Sequence, residues 1–315
     1  MDPIVELRGI TKRFGKLRVL DDVDLRIGSG VTGLLGPNGA GKSTLIKVLL
    51  GLHRAQGGEG QVLGEDLRDH SHFLKRPSIR AKVGFMPEDD CYVPGLSGVA
   101  SVQFAARLSG IPSLEALRRA HEILDFAGFD EDRYRMVETY STGMRQKLKF
   151  AQAIVADPPF LILDEPTSGL DPEEREAMLE RITTLASDAG KAVLLSTHIL
   201  SDVQAVCHDV IILVAGRVRL QDSLENLSRP ASPVLHVRVD PHGVDAFAKA
   251  LEAESLLQEC DPSGDLVVRA EAATLPTLWA KAREHGTVVR SLRHARNSLE
   301  AVFLEAVRGD ADADS

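Results

Sequence analysis

The stretch GPNGAGKST, Gly36 to Thr44, decides the fold. It follows a short apolar run, Val31 to Leu35, and precedes a segment in which Leu45, Val48, Leu49 and Leu52 recur with helical spacing. A strand, a glycine-rich loop and a helix start are what the G-x-x-x-x-G-K-[ST] pattern requires. Gly36, Gly39 and Gly41 let the N–H groups of the loop, which also holds Pro37, Asn38 and Ala40, turn inward as a concave anion nest. The helix beginning near Lys42 aims its unpaired N–H groups and the positive end of its dipole at the same point. That chemistry assigns Lys42 to β- and γ-phosphates, and the hydroxyl of Ser43, next to Thr44, to Mg²⁺. The stretch predicts a nucleoside triphosphate site.

Working outward, 315 residues suffice for a sizeable core and about two domains. With 43% hydrophobic and 26% charged residues, the composition is that of a folded globular chain. A formal net charge of −9 argues against a broad electrostatic footprint for nucleic acid or anionic lipid, so no nucleic-acid partner is expected. Cys91, Cys207 and Cys260 lie far apart without a C-x-x-C pair, which suggests a reducing compartment and no zinc module. The opening MDPIVELRGI carries no signal-peptide pattern, and apolar runs such as Val210 to Ala215 are far below the roughly 20 residues that span a bilayer. The expectation is a soluble chain.

Ile4 to Phe14 and Val19 to Ile27 alternate apolar and polar residues around a Gly15-Lys16 turn, which predicts an antiparallel hairpin. Phe14 closes the first strand, where an aromatic ring can stack on a purine base or pack within the hairpin; the residues alone leave both open. Gln56 to Arg80 reads as a polar, Gly-rich loop, and the His70/His72 pair within it lacks a third ligand at metal spacing. Ala81 to Met86 reads as a short strand that delivers Glu88 to its end. Leu96 to Phe126 reads as two or more helices with Leu114, Leu117 and Leu124 in the core. In YSTGMRQKLKFAQAIV, Tyr140 to Val155, Ser141 is a helix cap and Gly143 removes bulk. Leu148, Ala151, Ile154 and Val155 share an apolar face there, while Arg145, Lys147 and Lys149 lie elsewhere on the helix.

FLILDEP, Phe160 to Pro166, is a continuous apolar run ending in paired acids, the pattern of a buried parallel strand. Its carboxyl end is the edge where a phosphate loop holds its ligand, so Asp164 is placed on Mg²⁺ and Glu165 beside an attacking water. Asp171 caps a helix with Pro172 at its first position. Ala192 to Ser196 is another buried strand, and His198 emerges beyond it on the phosphate side. Asp209 to Ala215 and Arg217 to Gln221 form a hairpin across Gly216.

These segments, in this order, resemble the nucleotide-binding subunit of an ATP-binding-cassette (ABC) transporter over residues 1–228. The resemblance rests on Walker A at Gly36 to Ser43, a signature at Ser141 to Gln146, Walker B at Leu161 to Asp164, the acid Glu165, a D-loop at Ser168 to Asp171 and the switch residue His198. It implies an α/β P-loop cassette: a RecA-like core, an amino-terminal antiparallel β subdomain and an inserted helical subdomain at about residues 96–156. It implies ATP hydrolysis with Glu165, His198 and Lys42 as catalytic groups, and MgATP held in a head-to-tail dimer. Phe14 then stacks on adenine, Ser141, Thr142, Gly143, Gln146 and Asp171 join the nucleotide contacts, and Ser43, Asp164 and Glu88 serve the metal.

The partners implied are an integral membrane permease and a second cassette, identical or not, with the chain peripheral on the cytoplasmic face of the membrane. Two departures matter. The usual signature is close to LSGGQ, whereas this chain has Ser141-Thr142-Gly143-Met144-Arg145-Gln146, and Glu88 stands where Gln is usual. Both variants resemble a branch of drug, sodium and polysaccharide exporters, as does SLEAVFL at Ser298 to Leu304. Residues 229–309 alternate strand and helix as a small α+β, βαββαβ-like domain, and 310–315 form a polar tail. The alternative is a soluble ABC ATPase acting on a macromolecule, a kind that usually carries paired cassettes, coiled coils or zinc cysteines, none of which is legible here.

Overall fold

The computed structural model describes residues 3–67, 77–229, 234–240, 244–260, 265–270, 274–294 and 297–311; His70 and His72 lie outside them. The chain forms two units, Met1–Leu224 with Phe303–Ser315, and Glu225–Val302.

The first unit begins with the expected hairpin, β1 (Val5–Phe14) and β2 (Leu17–Ile27), which turns at Gly15; β3 (Gly30–Leu35) and α1 (Lys42–Leu49) follow. The stretch read as a Gly-rich loop instead contains β4 (Gly57–Val62) and β5 (Glu65–Asp66), which complete an antiparallel sheet in the order β2-β1-β4-β5. Glycine is required there by close approach. A Cβ on Gly60 would lie 2.6 Å from a Leu7 methyl and 3.0 Å from the Glu6 carbonyl, so the residues that hid the strand from its propensity are those that let it pair. Ala81 and Lys82 end a helix, α2 (Pro77–Lys82), and the strand β6 is shorter than expected, Val83–Met86.

A helical layer follows: α3 (Gly98–Leu108), α4 (Ser113–Phe126) and α5 (Thr142–Ile154). The core of this layer takes Ala116, Ala120 and Leu124 from α4, a stripe at four-residue spacing. Leu114, 83% exposed, and Leu117 fall beside that stripe, so the expectation that both are core residues is corrected; Leu124 is buried. From α5 the same core takes Leu148 and Ala151, and from the residue that ends it Val155.

The remaining elements are β7 (Phe160–Asp164), α6 (Pro172–Ser187), β8 (Ala192–Ser196), α7 (Leu200–Val206), β9 (Asp209–Val214), β10 (Arg217–Ser223) and a single helical turn, α8 (Leu224–Leu227). The central sheet has the order β10-β9-β3-β8-β7-β6, parallel throughout except for β10. Every residue of β7 and β8 is buried, as a parallel sheet covered on both faces demands. Each large apolar side chain so buried contributes about 1.5–3 kcal/mol. Register sets the site: Ser196 pairs with Leu34 on one side and Asp164 on the other, so three strands reach their carboxyl ends in line.

The second unit holds β11 (Val234–Val239), α9 (Val244–Ala253), β12 (Leu257–Cys260), β13 (Leu266–Arg269), α10 (Thr274–Glu284) and β14 (Val289–His294). The β-α-β-β-α-β order gives an antiparallel sheet, β12-β13-β11-β14, covered by two helices through Phe247, Leu251 and Leu278. The last helix, α11 (Leu299–Ala311), adds no residue to this apolar core among the described residues, and from Phe303 the chain belongs to the first unit rather than to the appendix expected at 229–309.

Candidate active site

The carboxyl edge of the parallel sheet opens on a cavity of about 580 Å³. Gly36, Pro37, Asn38, Gly39, Ala40, Gly41, Lys42, Ser43 and Thr44 line it together with Glu88, Asp164, Glu165 and His198. Val19, Leu200 and Phe303, the last from the carboxy-terminal segment of the same unit, supply apolar wall. Gly41 stands at φ 106 and a Cβ there would lie 2.8 Å from the Val19 carbonyl, so only glycine suits the last residue before α1. No side chain caps α1, which leaves its first N–H groups to the cavity. The Lys42 ammonium is held at the loop by the carbonyls of Gly36, 2.7 Å, and Pro37, 3.3 Å.

Two adjacent acids close the opposite wall. Burial pushes the Asp164 carboxyl above its usual range, and the charges of Glu88 and Glu165 add to that push while Lys42 opposes it. Glu165 occupies the left-handed region at φ 50, a conformation that costs about 1–3 kcal/mol for a side chain of this kind and persists only where neighbours enforce it. The enforcement is visible. Its N–H donates to the Ser196 carbonyl at 2.8 Å, and its own carbonyl accepts from Gln146 Nε2 at 2.5 Å. One carboxylate oxygen lies 2.9 Å from His198 Nδ1 and the other accepts from the Thr197 hydroxyl at 3.3 Å. His198 remains largely exposed, so its far edge is open to the cavity.

Thr167, Asp202 and Arg175 hold the turn that follows. The Thr167 hydroxyl donates to buried Asp202 at 2.5 Å, and Arg175 Nε donates to the other carboxylate oxygen at 2.6 Å. Sequence reasoning missed this network because Asp202 lies 35 residues from Thr167, on α7, with no motif around it.

The structure does not bring every predicted contact residue into the cavity. Ser141 caps α5 by accepting from Met144 N at 3.2 Å, and both Ser141 and Thr142 are exposed on a patch away from the cavity lining. The patch continues through Gly169, which approaches the Thr142 methyl group, to Asp171, the cap of α6. Lys147 and Glu174 tie the two helices at 3.0 Å. Gly143 is buried beneath Glu174 and Leu170, and Gln146 points inward to Glu165 instead of outward with Ser141. Phe14 ends β1 outside the cavity lining, 44% exposed, edge-on to His53 at 5.2 Å and with the Lys12 ammonium 4.9 Å from its ring centre.

The ABC transporter family model matches residues 20–168. The chain is 30% identical to the Nod factor export ATP-binding protein I of Ralstonia nicotianae over 96% of this chain and 93% of that one. It is 34% identical to the daunorubicin/doxorubicin resistance ATP-binding protein of Streptomyces peucetius over 98% and 93%. The chain belongs to the ABC transporter family.

This ABC subunit is also similar to a solved ATP-binding cassette, a dimer in a post-hydrolysis state bound to ADP and Pi, with TM-score 0.65 and 25% identity over 70% of this chain and 98% of that one. Membership makes the chain the ATP-binding, ATP-hydrolysing subunit of a transporter, and the alternative of a soluble ATPase acting on a macromolecule is not favoured. Among the described residues, no helix of this ABC subunit is long and apolar enough to cross a membrane.

Proposed function

We propose that this ABC subunit binds MgATP between two cassettes arranged head to tail and couples its hydrolysis to export through a separate integral membrane permease. The observation that carries the reading is the division of the site. The phosphate loop, Asp164, Glu165 and His198 share one cavity, while Ser141, Thr142 and Asp171 form an exposed patch outside its lining. A second protomer turned head to tail lays its patch over that cavity, adding a helix start and a hydroxyl to the anion cage.

Within the cavity, Lys42 neutralises the β- and γ-phosphate oxygens and the N–H groups of Asn38 to Thr44 cradle them. Ser43 and Asp164, with Glu88 nearby, would hold Mg²⁺. The fit is chemical: the Asp164 carboxylate, whose charge burial disfavours, shares the cavity with the Ser43 hydroxyl and the Glu88 carboxylate. Mg²⁺ prefers that arrangement of one or two carboxylates plus substrate oxygens. When bound, it offsets negative charge on the transferring phosphoryl group. Glu165 orients and deprotonates the attacking water, and His198 holds the Glu165 carboxylate while facing the γ-phosphate. Phe14 stacks on the base. The groove lined by Phe85, Val93, Leu96, Phe104 and Leu108 receives the permease on the cytoplasmic face of the membrane, and the second unit supports the dimer.

The test is Glu165→Gln, tagged and purified with ATP from solubilised membranes of the native cells. Hydrolysis is expected to fall by at least about 10²-fold with ATP still bound. The variant should also dimerise with ATP and retain a stoichiometric polytopic membrane protein. Near-normal turnover removes Glu165 as the base. Recovery from the cytosol with ribosomes or nucleic acid removes the transport reading and leaves the nucleotide chemistry.

A further inference from the structure

One face of α5 grips both loops that carry active-site acids. Gln146, 5% exposed, donates to the Glu165 carbonyl at 2.5 Å. Three residues on, the ammonium of Lys149, 4% exposed, donates to the carbonyls of Pro87, 3.0 Å, Glu88, 2.7 Å, and Asp89, 3.4 Å. Spacing of three puts the two side chains on the same face of the helix.

The Lys149 arrangement is not what an amphipathic helix asks of a lysine. Burial pushes its ammonium below the usual lysine range, and the surrounding acids Asp90, Asp89 and Glu88 support the charge only in part. An ammonium has three N–H donors, and here three carbonyls of one short main-chain segment accept them. The segment Pro87 to Asp89 is therefore fastened to α5. Glu165 is fastened likewise, because the Gln146 amide holds the carbonyl of a residue whose backbone conformation persists only under restraint. At its amino end α5 begins with the exposed Ser141 and Thr142.

A single helix therefore joins an exposed patch to the two loops of its own cavity. We infer that Gln146 and Lys149 are positioning residues that transmit what docks on Ser141 and Thr142 to Glu165 and Glu88 of the same chain. This rests on the head-to-tail reading, in which the docked group is the nucleotide of the other protomer. Filling one site then orders the acids of the other, and by linkage the influence is reciprocal. The two sites hydrolyse ATP cooperatively because each protomer carries this link.

The experiment is steady-state hydrolysis against ATP concentration by the purified full chain and three variants. Gln146→Leu removes the amide at similar volume, Lys149→Met removes the ammonium at similar length, and Lys149→Arg restores a cation with several donors. The wild-type Hill coefficient is expected to lie well above 1 and toward the two-site limit of about 2. Gln146→Leu and Lys149→Met should bring it to 1 and lower kcat by roughly tenfold, while affinity for a fluorescent ATP analogue changes by less than about twofold. Lys149→Arg should recover most of both losses.

A purely structural role would lower the melting temperature and the active fraction but leave the Hill coefficient unchanged, and that result overturns the inference. Gln146→Asn, which keeps the amide and withdraws it by one methylene, repeats the test in a milder form should the larger changes prevent folding. ATP-driven dimerisation of Glu165→Gln separates the two ways of failing. If that dimer forms and the wild-type Hill coefficient is 1, the link between sites falls and the head-to-tail reading stands. If no dimer forms, both fall.

Discussion

Two helices begin at the functional surface of this molecule, and they finish their first turns in opposite ways. α1 follows Gly41 with no side chain accepting from its leading N–H groups, inside a cavity. α5 follows Ser141, whose own hydroxyl accepts from Met144 N, on an exposed patch. The first leaves donors for an anion and needs a residue without Cβ to place them. The second has one leading N–H met by its own serine and faces water. One helix start is thus an open receptor and the other a capped, water-facing surface, the pairing on which the proposed head-to-tail dimer rests.

The contrast breaks most sharply at Gly41. Gly41→Ala places a methyl group 2.8 Å from the Val19 carbonyl and 3.1 Å from Leu20 Cδ2, at a φ of 106. The expected cost is about 2–4 kcal/mol. A melting curve should shift by several degrees, and nucleotide affinity measured by calorimetry should collapse. An unshifted curve would show that the loop tolerates a side chain and that its shape is not what selects glycine.

The finished surface should break gently. Ser141→Ala removes the cap of α5 and is expected to cost about 1 kcal/mol, roughly 2–4 °C in melting temperature. ATP affinity of the isolated protomer should stay as it was, because Ser141 lies outside the cavity lining. A loss of monomer affinity as large as that of Gly41→Ala would erase the distinction between the two helix starts.

The smallest effect sharpens the receptor side. With its folded carboxyl raised above the usual value of about 3.9, Asp164 favours the fold when neutral. That contribution is complete below the unfolded value and is lost as pH rises through the folded one. The nucleotide-free, chelator-treated chain should therefore lose stability relative to Asp164→Asn as pH climbs from the acid range toward neutrality. Thermal melts across that range should show Asp164→Asn slightly more stable at pH 7. Equal slopes for the two chains would mean that the acid is not held at a disadvantage in the empty cavity.

What was legible in the sequence is what depends on neighbours along the chain. The phosphate loop, the buried strand ending at Asp164 and the Asp171-Pro172 helix start each carry their own local chemistry, and each stands where its residues put it. β4 was hidden because Gly57, Gly58 and Gly60 lower strand propensity, while Gly58 and Gly60 serve the close approach to β1. Leu114 and Leu117 kept helical spacing but fell beside the stripe that α4 buries, a choice made by the packing of α3 and α5 against small alanines. Lys149 read as one of three cations off the apolar face of its helix, and only the distant main chain of Pro87 to Asp89 shows where it is held. Long-range partners of this kind leave no local pattern.

The alignment of strand ends has a practical corollary for anyone wishing to modify this chain. β3, β7 and β8 deliver their chemistry to one rim, and their amino ends stand at the opposite one. The turn before β8, ending at Gly190 with open space around its Cα, sits at that far rim, and its residues from Ser187 to Gly190 are exposed. Just beyond, Lys191 bolts the strand entrance to Asp157 and the Pro158 carbonyl. A fluorophore or affinity handle inserted between Asp188 and Gly190 would therefore report on the molecule from behind a fixed anchor, at the end of the sheet opposite the phosphate loop.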